Sequence, residues 1–176
     1  GKAIAAGIRS ELKEKFRLFI DEGGQPLLAI VQIGEDEGST TYSKSLMKSA
    51  EKLGVKADLY QFPADADTSL VTDEMERLAM DNSVHGILLQ RPVPKPHSEM
   101  ALSLIIPPEK DIDAASPLSM GYLALGKPKL PPCTPAAILE ILMRSEIETT
   151  GKRVTIVGRS NVVGKPLALM MSRKAE

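Results

Sequence analysis

The chain has 176 residues, 43% of them hydrophobic, enough for one ordinary core or one and a half small ones. Its 22 Lys+Arg and 23 Asp+Glu leave a formal net charge of -1, which argues against a dedicated binder of nucleic acid or anionic membrane. No apolar run approaches the ~18 to 20 residues of a membrane span, and Gly1 to Phe16 lacks the apolar core of a signal peptide. One cysteine, Cys133, cannot build an internal disulfide framework, and with two histidines no protein-only metal site is expected. These features predict a soluble, cytoplasmic protein.

In chain order, Ile4, Ile8, Leu12, Phe16 and Phe19 recur at helical spacing, and Gly23-Gly24 ends that helix. Leu27 to Ile33 is a nearly continuous apolar run closed by Gly34, as in a strand buried on both faces. Ser39 to Leu53 reads as a helix stopped by Gly54, and Val55 to Phe62 as extended. Thr68 to Met80 follows as a helix with Thr68 as its N-cap, and His85 to Gln90 as a further strand. Strand and helix in alternation predict an α/β domain with a parallel sheet.

Beyond Gln90 the composition shifts, because ten of the thirteen prolines lie between Pro92 and Pro135. This predicts ordered loops around a site, with one short helix near Ser98 to Leu104. A helix resumes at Thr134 as N-cap, with Pro135 in its first position. Lys152 to Gly158 reads as a strand, Arg159 to Gly164 as a loop, and Lys165 to Met171 as a helix. One strand and one helix cannot bury a core, so this last unit is expected to be the beginning of a second domain whose remainder is missing.

Several places carry candidate chemistry. The Gly158 to Gly164 turn from strand into helix suits a phosphate, and equally a plain structural turn; Arg159 beside it adds a fork for an extra phosphate. Tyr42, near a helix start, can stack on a flat ligand or simply pack at a core edge. Gln90 sits at the carboxyl end of a predicted strand, where ligands bind in parallel sheets, ahead of the stiff Arg91-Pro92-Val93-Pro94 turn. Asp111 and Asp113, two residues apart, have the spacing of metal ligands but lack a cysteine or more than one histidine nearby, and suit hydrogen bonding to a nitrogen-rich ring better, or a solvated acidic turn. Cys133 at a helix start is either an activated thiol or a small packed residue.

Together, Ser39 to Gly54 around Tyr42, Gly86 to Pro94, Pro108 to Asp113, Pro132-Cys133-Thr134-Pro135 and Val157 to Pro166 resemble, in order and over essentially the whole chain, the methylenetetrahydrofolate dehydrogenase/cyclohydrolase family. The resemblance implies an N-terminal parallel-sheet catalytic domain over residues 1–135 that binds folate. Residues 136–176 would be a connecting helix and the truncated start of a Rossmann-like NAD(P)-binding domain. It implies that Tyr42 stacks on the folate, Gln90 supports the catalytic centre and Asp113 hydrogen-bonds the pterin, these three forming the catalytic and substrate-binding set. Gly158, Arg159, Ser160 and Gly164 would meet the cofactor. The implied reaction is oxidation of 5,10-methylenetetrahydrofolate to 5,10-methenyltetrahydrofolate with NADP, NAD being the alternative that Arg159 argues against. The family then hydrolyses the product to 10-formyltetrahydrofolate, and is commonly homodimeric. A non-catalytic folate-binding homologue or fragment is the other reading.

The chain departs from the family at one position of consequence. Where the resemblance calls for a lysine four residues after the tyrosine, as general acid/base, it has Leu46. Lys44 and Lys48 lie about 200° and about 240° round a helix from Tyr42, off its face. Cyclohydrolase activity is therefore expected to be weak or absent, with the dehydrogenase retained. Ala114 and Ala137 stand where the family usually has glycine.

Overall fold

Three short segments pair as parallel strands in the computed structural model, which describes residues 1–172. After a long helix α1 (Lys2–Asp21), strand β1 (Leu27–Ile33) lies at the centre. Helix α2 (Glu37–Glu51) leads to β2 (Lys56–Phe62) on one side of it, and α3 (Thr68–Met80) crosses to β3 (Gly86–Leu89) on the other. The order β2-β1-β3 reverses direction at β1, as in a doubly wound sheet.

Strand alternation assigns the two faces. Ala29, Val31 and Ile33 of β1, with Ile87 and Leu89 of β3, pack on Val71, Met75 and Leu78 of α3 and on Leu102 and Ile106 near helix α4 (Glu99–Ile105). All of these are buried, and they form the hydrophobic core. The even positions of the same strands, Ile30, Gln32, Leu88 and Gln90, are also buried, and Gln32 and Gln90 hydrogen-bond to α2 on the opposite face. Burial on both faces is why Leu27 to Ile33 reads as one apolar run rather than an alternating one. Its single polar residue is Gln32.

Helices α5 (Pro117–Ala124), α6 (Cys133–Arg144) and α7 (Gly164–Met171) complete the described chain, with α7 packed against α5 and α6. No helix of the described residues is long and apolar enough to cross a membrane.

Four sequence expectations need correction. Helix α3 is capped by Asp67, whose carboxylate accepts the Ser69 N–H at 2.9 Å, so Thr68 is already helical. Helix α6 starts at Cys133 behind an extended Pro132; Pro135 therefore lies within the first turn, where its missing N–H would have had no partner. The proline-rich stretch contains α5 as well, started by Ser116 accepting from Ser119 N–H with Pro117 at the first position. Residues 152–158 are not a strand: no described segment runs beside them to complete a ladder, and Val157 is 98% exposed. The predicted helix α1 is present, its apolar stripe half-buried, with edge contacts such as Phe19 on His85 and the Glu11–Arg144 ion pair with α6.

Candidate functional site

A sheet that reverses its order opens a crevice beyond the carboxyl ends of the strands at the reversal, because the connections there leave toward opposite faces. Here that point lies between β1 and β3. The chain leaves β1 through Gly34, at φ +82°, into α2, and leaves β3 through Gln90 and Arg91. The N-terminus of α2 is tied to the second exit: the Ser39 hydroxyl lies 2.7 Å from the Arg91 carbonyl, and the Asp36 carboxylate accepts the Ser39 N–H at 2.8 Å.

A buried polar chain lies beneath this crevice. Because the Gln90 N–H continues the ladder to the Val31 carbonyl, Gln90 stands beside Gln32 at adjacent strand ends, both turned toward α2. Gln32 Nε2 donates to the Gly34 carbonyl (3.3 Å) and to Thr40 Oγ1 (2.9 Å). Ser43 Oγ donates to Gln32 Oε1 (3.1 Å), and Gln90 Nε2 donates to Ser43 Oγ (2.9 Å). Sequence reasoning found Gln90 but missed Gln32, Ser39 and Ser43. A glutamine inside an otherwise apolar strand was the available signal, since a buried amide needs partners.

The third wall is the segment after α4. Ile87 N–H donates to the Lys110 carbonyl at 2.7 Å, and Asp111 bridges to Ile87, so residues 110–113 lie along β3. Asp111 is buried and structural. Its carboxylate accepts from Ala115 N–H, Ser116 N–H and the Ser119 hydroxyl, the last at 2.6 Å, and so holds the entry to α5. Asp113 faces outward, 3.7 Å from the Arg91 guanidinium, which also grips Glu99 at 2.6 Å. Ala114, immediately after Asp113, has φ +47°, a region that favours glycine, so the loop holding Asp113 carries local backbone strain.

Gly86 couples this wall to the sheet. A Cβ there would sit 2.6 Å from Ile112 Cγ2, an atom one bond from a stiff β-branched centre. Gly86→Ala is expected to cost about 1 to 3 kcal/mol through overpacking, and to displace the residue beside Asp113. Denaturant unfolding reads the first effect. An unchanged midpoint would show that Ile112 yields freely.

Tyr42, on α2, is 54% exposed at the same crevice. Burial of its ring raises the phenol pKa, and the nearby Asp113 carboxylate and Cys133 thiol raise it further. Tyr42 is thus a protonated phenol at neutral pH, able to stack and donate but not to serve as a base. Cys133 is surface-accessible, yet its thiol faces the carboxylates and donates to the Ile112 carbonyl at 3.0 Å. Desolvation, then Asp113, then Asp111 push its pKa up to about 11. That rules against the activated thiol and leaves a packed one. At pH 8 the thiolate fraction is on the order of 10⁻³, so alkylation by iodoacetamide is expected to be far slower than for an ordinary thiol. Asp113→Asn should accelerate it; a fast reaction in the unmodified protein would contradict this placement.

One helical turn beyond Tyr42, at about 40° round the axis, Leu46 is half-buried. Lys44 and Lys48 are exposed. No lysine of α2 shares the Tyr42 face.

Across the crevice lies the turn that enters α7. A cleft of about 610 Å³ has Arg91, Met100 and Met120 on one side and Asn161, Val162 and Lys165 on the other. Gly158 has φ +149°, and a Cβ at Gly164 would run into the Gly158 carbonyl, so the turn is as tight as glycine permits. The Ser160 hydroxyl accepts the Val163 and Gly164 N–H groups at 3.1 and 3.3 Å, holding the loop in shape. Arg159 is exposed, and neither it nor Ser160 lines the cleft. A glycine-bounded cradle with Lys165 and Arg159 nearby fits a dinucleotide phosphate.

Comparison with known proteins gives a consistent answer. Residues 1–113 match the model of the tetrahydrofolate dehydrogenase/cyclohydrolase catalytic domain, and residues 132–176 match that of the same family's NAD(P)-binding domain. The bifunctional protein FolD of Heliobacterium modesticaldum is 41% identical over 174 residues, which are 99% of this chain and 61% of that protein. The crystal structure of the Campylobacter jejuni bifunctional enzyme FolD has a TM-score of 0.93 at 37% identity, covering 97% of this chain and 61% of that one. The Trypanosoma brucei enzyme complexed with NADP and an inhibitor has a TM-score of 0.91 at 32% identity, over 98% of this chain and 59% of that one. The NAD-dependent 5,10-methylenetetrahydrofolate dehydrogenase of Saccharomyces cerevisiae follows at 0.78 and 25%, over 94% and 58%. The chain spans about 60% of the length of these relatives. By its two matched domains and these identities, the chain belongs to the tetrahydrofolate dehydrogenase/cyclohydrolase family.

Proposed function

We propose that the intact protein is an NADP-dependent 5,10-methylenetetrahydrofolate dehydrogenase with little or no cyclohydrolase activity. Residues 1–135 would form the folate-binding catalytic domain, and residues 136–176 the connecting helix and the start of the cofactor domain. The observation that carries this reading is Leu46 on the Tyr42 face of α2, with Gln90 hydrogen-bonded to the same helix and Asp113 near Tyr42.

Tyr42 offers a ring for the substrate to stack on, and its protonated phenol can donate. Asp113 supplies an acceptor for pterin N–H groups, in exchange for its long contact with Arg91. Gln90 is held rigidly at the base of the crevice. Gly158 and Gly164 let the backbone approach the cofactor's phosphates, with Arg159 and Ser160 at the loop's start. The bound cofactor supplies a hydride acceptor; what the protein supplies is alignment, for which no proton-transfer group is needed. Opening the methenyl cation with water does need one, and Leu46 is not one.

A homodimer working in the cytoplasm completes the reading, supported by family membership alone. Formation of reduced cofactor from methylenetetrahydrofolate by the intact protein tests the activity. Faster turnover with NADP than with NAD is expected from Arg159; a preference for NAD would show that Arg159 does not bind a phosphate. Folate affinity without turnover would instead favour a non-catalytic homologue.

A further inference from the structure

The buried amides beneath the crevice have a direction that can be deduced link by link. The Gly34 carbonyl can only accept, so the end of Gln32 facing it must be Nε2. Gln32 Oε1 is then the end facing Ser43, and it must receive a proton, which commits the Ser43 hydroxyl hydrogen. With its hydrogen committed, Ser43 Oγ can only accept from Gln90, so Gln90 presents Nε2 inward. Ser43 is 0% exposed and Gln32 2%, so no solvent competes for these bonds. Gln90 Oε1 has no hydrogen-bond partner among the described residues, and it is not among the sealed, unpartnered atoms, which are both nitrogens of His97. The carbonyl end of Gln90, a residue 6% exposed overall, is therefore its open end.

We infer that Ser43 is a positioning residue that fixes the Gln90 amide with its oxygen toward the substrate, so that the crevice favours a cationic folate over a neutral one. The inference rests on the folate reading above. In the dehydrogenase step a C–H bond of the methylene carbon breaks, and hydrogen leaves with both electrons for the oxidised nicotinamide. The N–C–N unit left behind carries one positive charge. An amide oxygen held toward that charge stabilises it without reorganising, whereas an amide free to turn would present N–H groups to it part of the time. Serine performs this because a hydroxyl can donate one way and accept the other. Alanine at position 43 would leave Gln90 with no inward acceptor and no preferred orientation.

The test uses the intact protein and two ligands, 5,10-methenyltetrahydrofolate, whose N–C–N unit is a cation, and tetrahydrofolate, whose N5 and N10 carry no charge and which is the neutral ligand in that sense, with affinities measured by titration and no turnover required. Ser43→Ala is expected to weaken cation binding about tenfold while changing neutral binding less than about twofold. Thr40→Ala is the control, because Gln32 Nε2 keeps the Gly34 carbonyl and the direction of the chain survives. It should leave the ratio of affinities unchanged even if thermal unfolding shows a comparable loss of stability. Equal weakening of both ligands by Ser43→Ala, or the same change of ratio from Thr40→Ala, would reduce Ser43 to a packing role and overturn the assignment. If the unmodified protein bound neither folate, the assignment and the folate reading would fall together; if it bound both, only the ratio would be at stake.

Discussion

Leu46→Lys is expected to raise hydrolysis of 5,10-methenyltetrahydrofolate by roughly 10² to 10⁴, the usual contribution of a placed general acid/base. The substitution puts an amine one helical turn from Tyr42, at a half-buried position on the same face of α2. Partial burial lowers the pKa of an introduced lysine toward the range in which it can exchange protons with attacking water. Leucine there does the reverse: it dries that part of the crevice and removes a positive charge that would repel the methenyl cation. Lys44 and Lys48 do not substitute for it, because the helix turns them to solvent. If hydrolysis by the unmodified protein were already fast and the variant no faster, a relayed proton path would have to exist, and Leu46 would not set the reaction's outcome.

Asp113→Asn is expected to weaken folate binding on the order of 10²-fold, the loss of one strong charge-assisted hydrogen bond. Asp113 is positioned by Asp111, which ties the next turn of chain, and by Arg91, which is 3.7 Å away and shared with Glu99. Stability should change little, because half-exposed Asp113 makes only a long ion pair with Arg91 and a contact with the Cys133 thiol that asparagine can keep. The cleft wall beyond it is formed by other residues, so cofactor affinity should hold. An equal loss of affinity for both ligands would mean that Asp113 shapes the cleft rather than contacting the pterin. Calorimetric titration of each ligand separates the two outcomes.

What could be read in the sequence followed from periodicity. Leu27 to Ile33, Thr68 to Met80 and His85 to Gln90 announce themselves by apolar runs or helical spacing, the last strand proving to be Gly86–Leu89, and the sheet follows from their alternation. The helix at Pro117 did not, since proline reads as a breaker until a serine ahead of it is recognised as the cap that makes proline favourable. Residues 152–158 failed for the opposite reason: their pattern is that of a strand, but pairing is a property of neighbours, not of the run itself. At the site, Tyr42, Gln90 and Asp113 stood out through family resemblance. The partners that orient them did not. Ser43 looks like any helix-surface serine until the strand alternation of Gln32 and Gln90 shows which face of α2 is buried. The Arg91 ion pairs with Glu99 and Asp113 depend on where two loops meet, and no local pattern encodes that.

The most direct measurement follows one preparation of the unmodified intact protein through both reactions. Formation of reduced NADP cofactor from 5,10-methylenetetrahydrofolate is recorded first, and then the decay of 5,10-methenyltetrahydrofolate absorbance with and without protein. Turnover in the first, with decay in the second no faster than in buffer, is the result expected of a crevice that has Leu46 where a proton-transfer group would stand. Rapid, protein-dependent decay at a rate comparable to the dehydrogenase would contradict it.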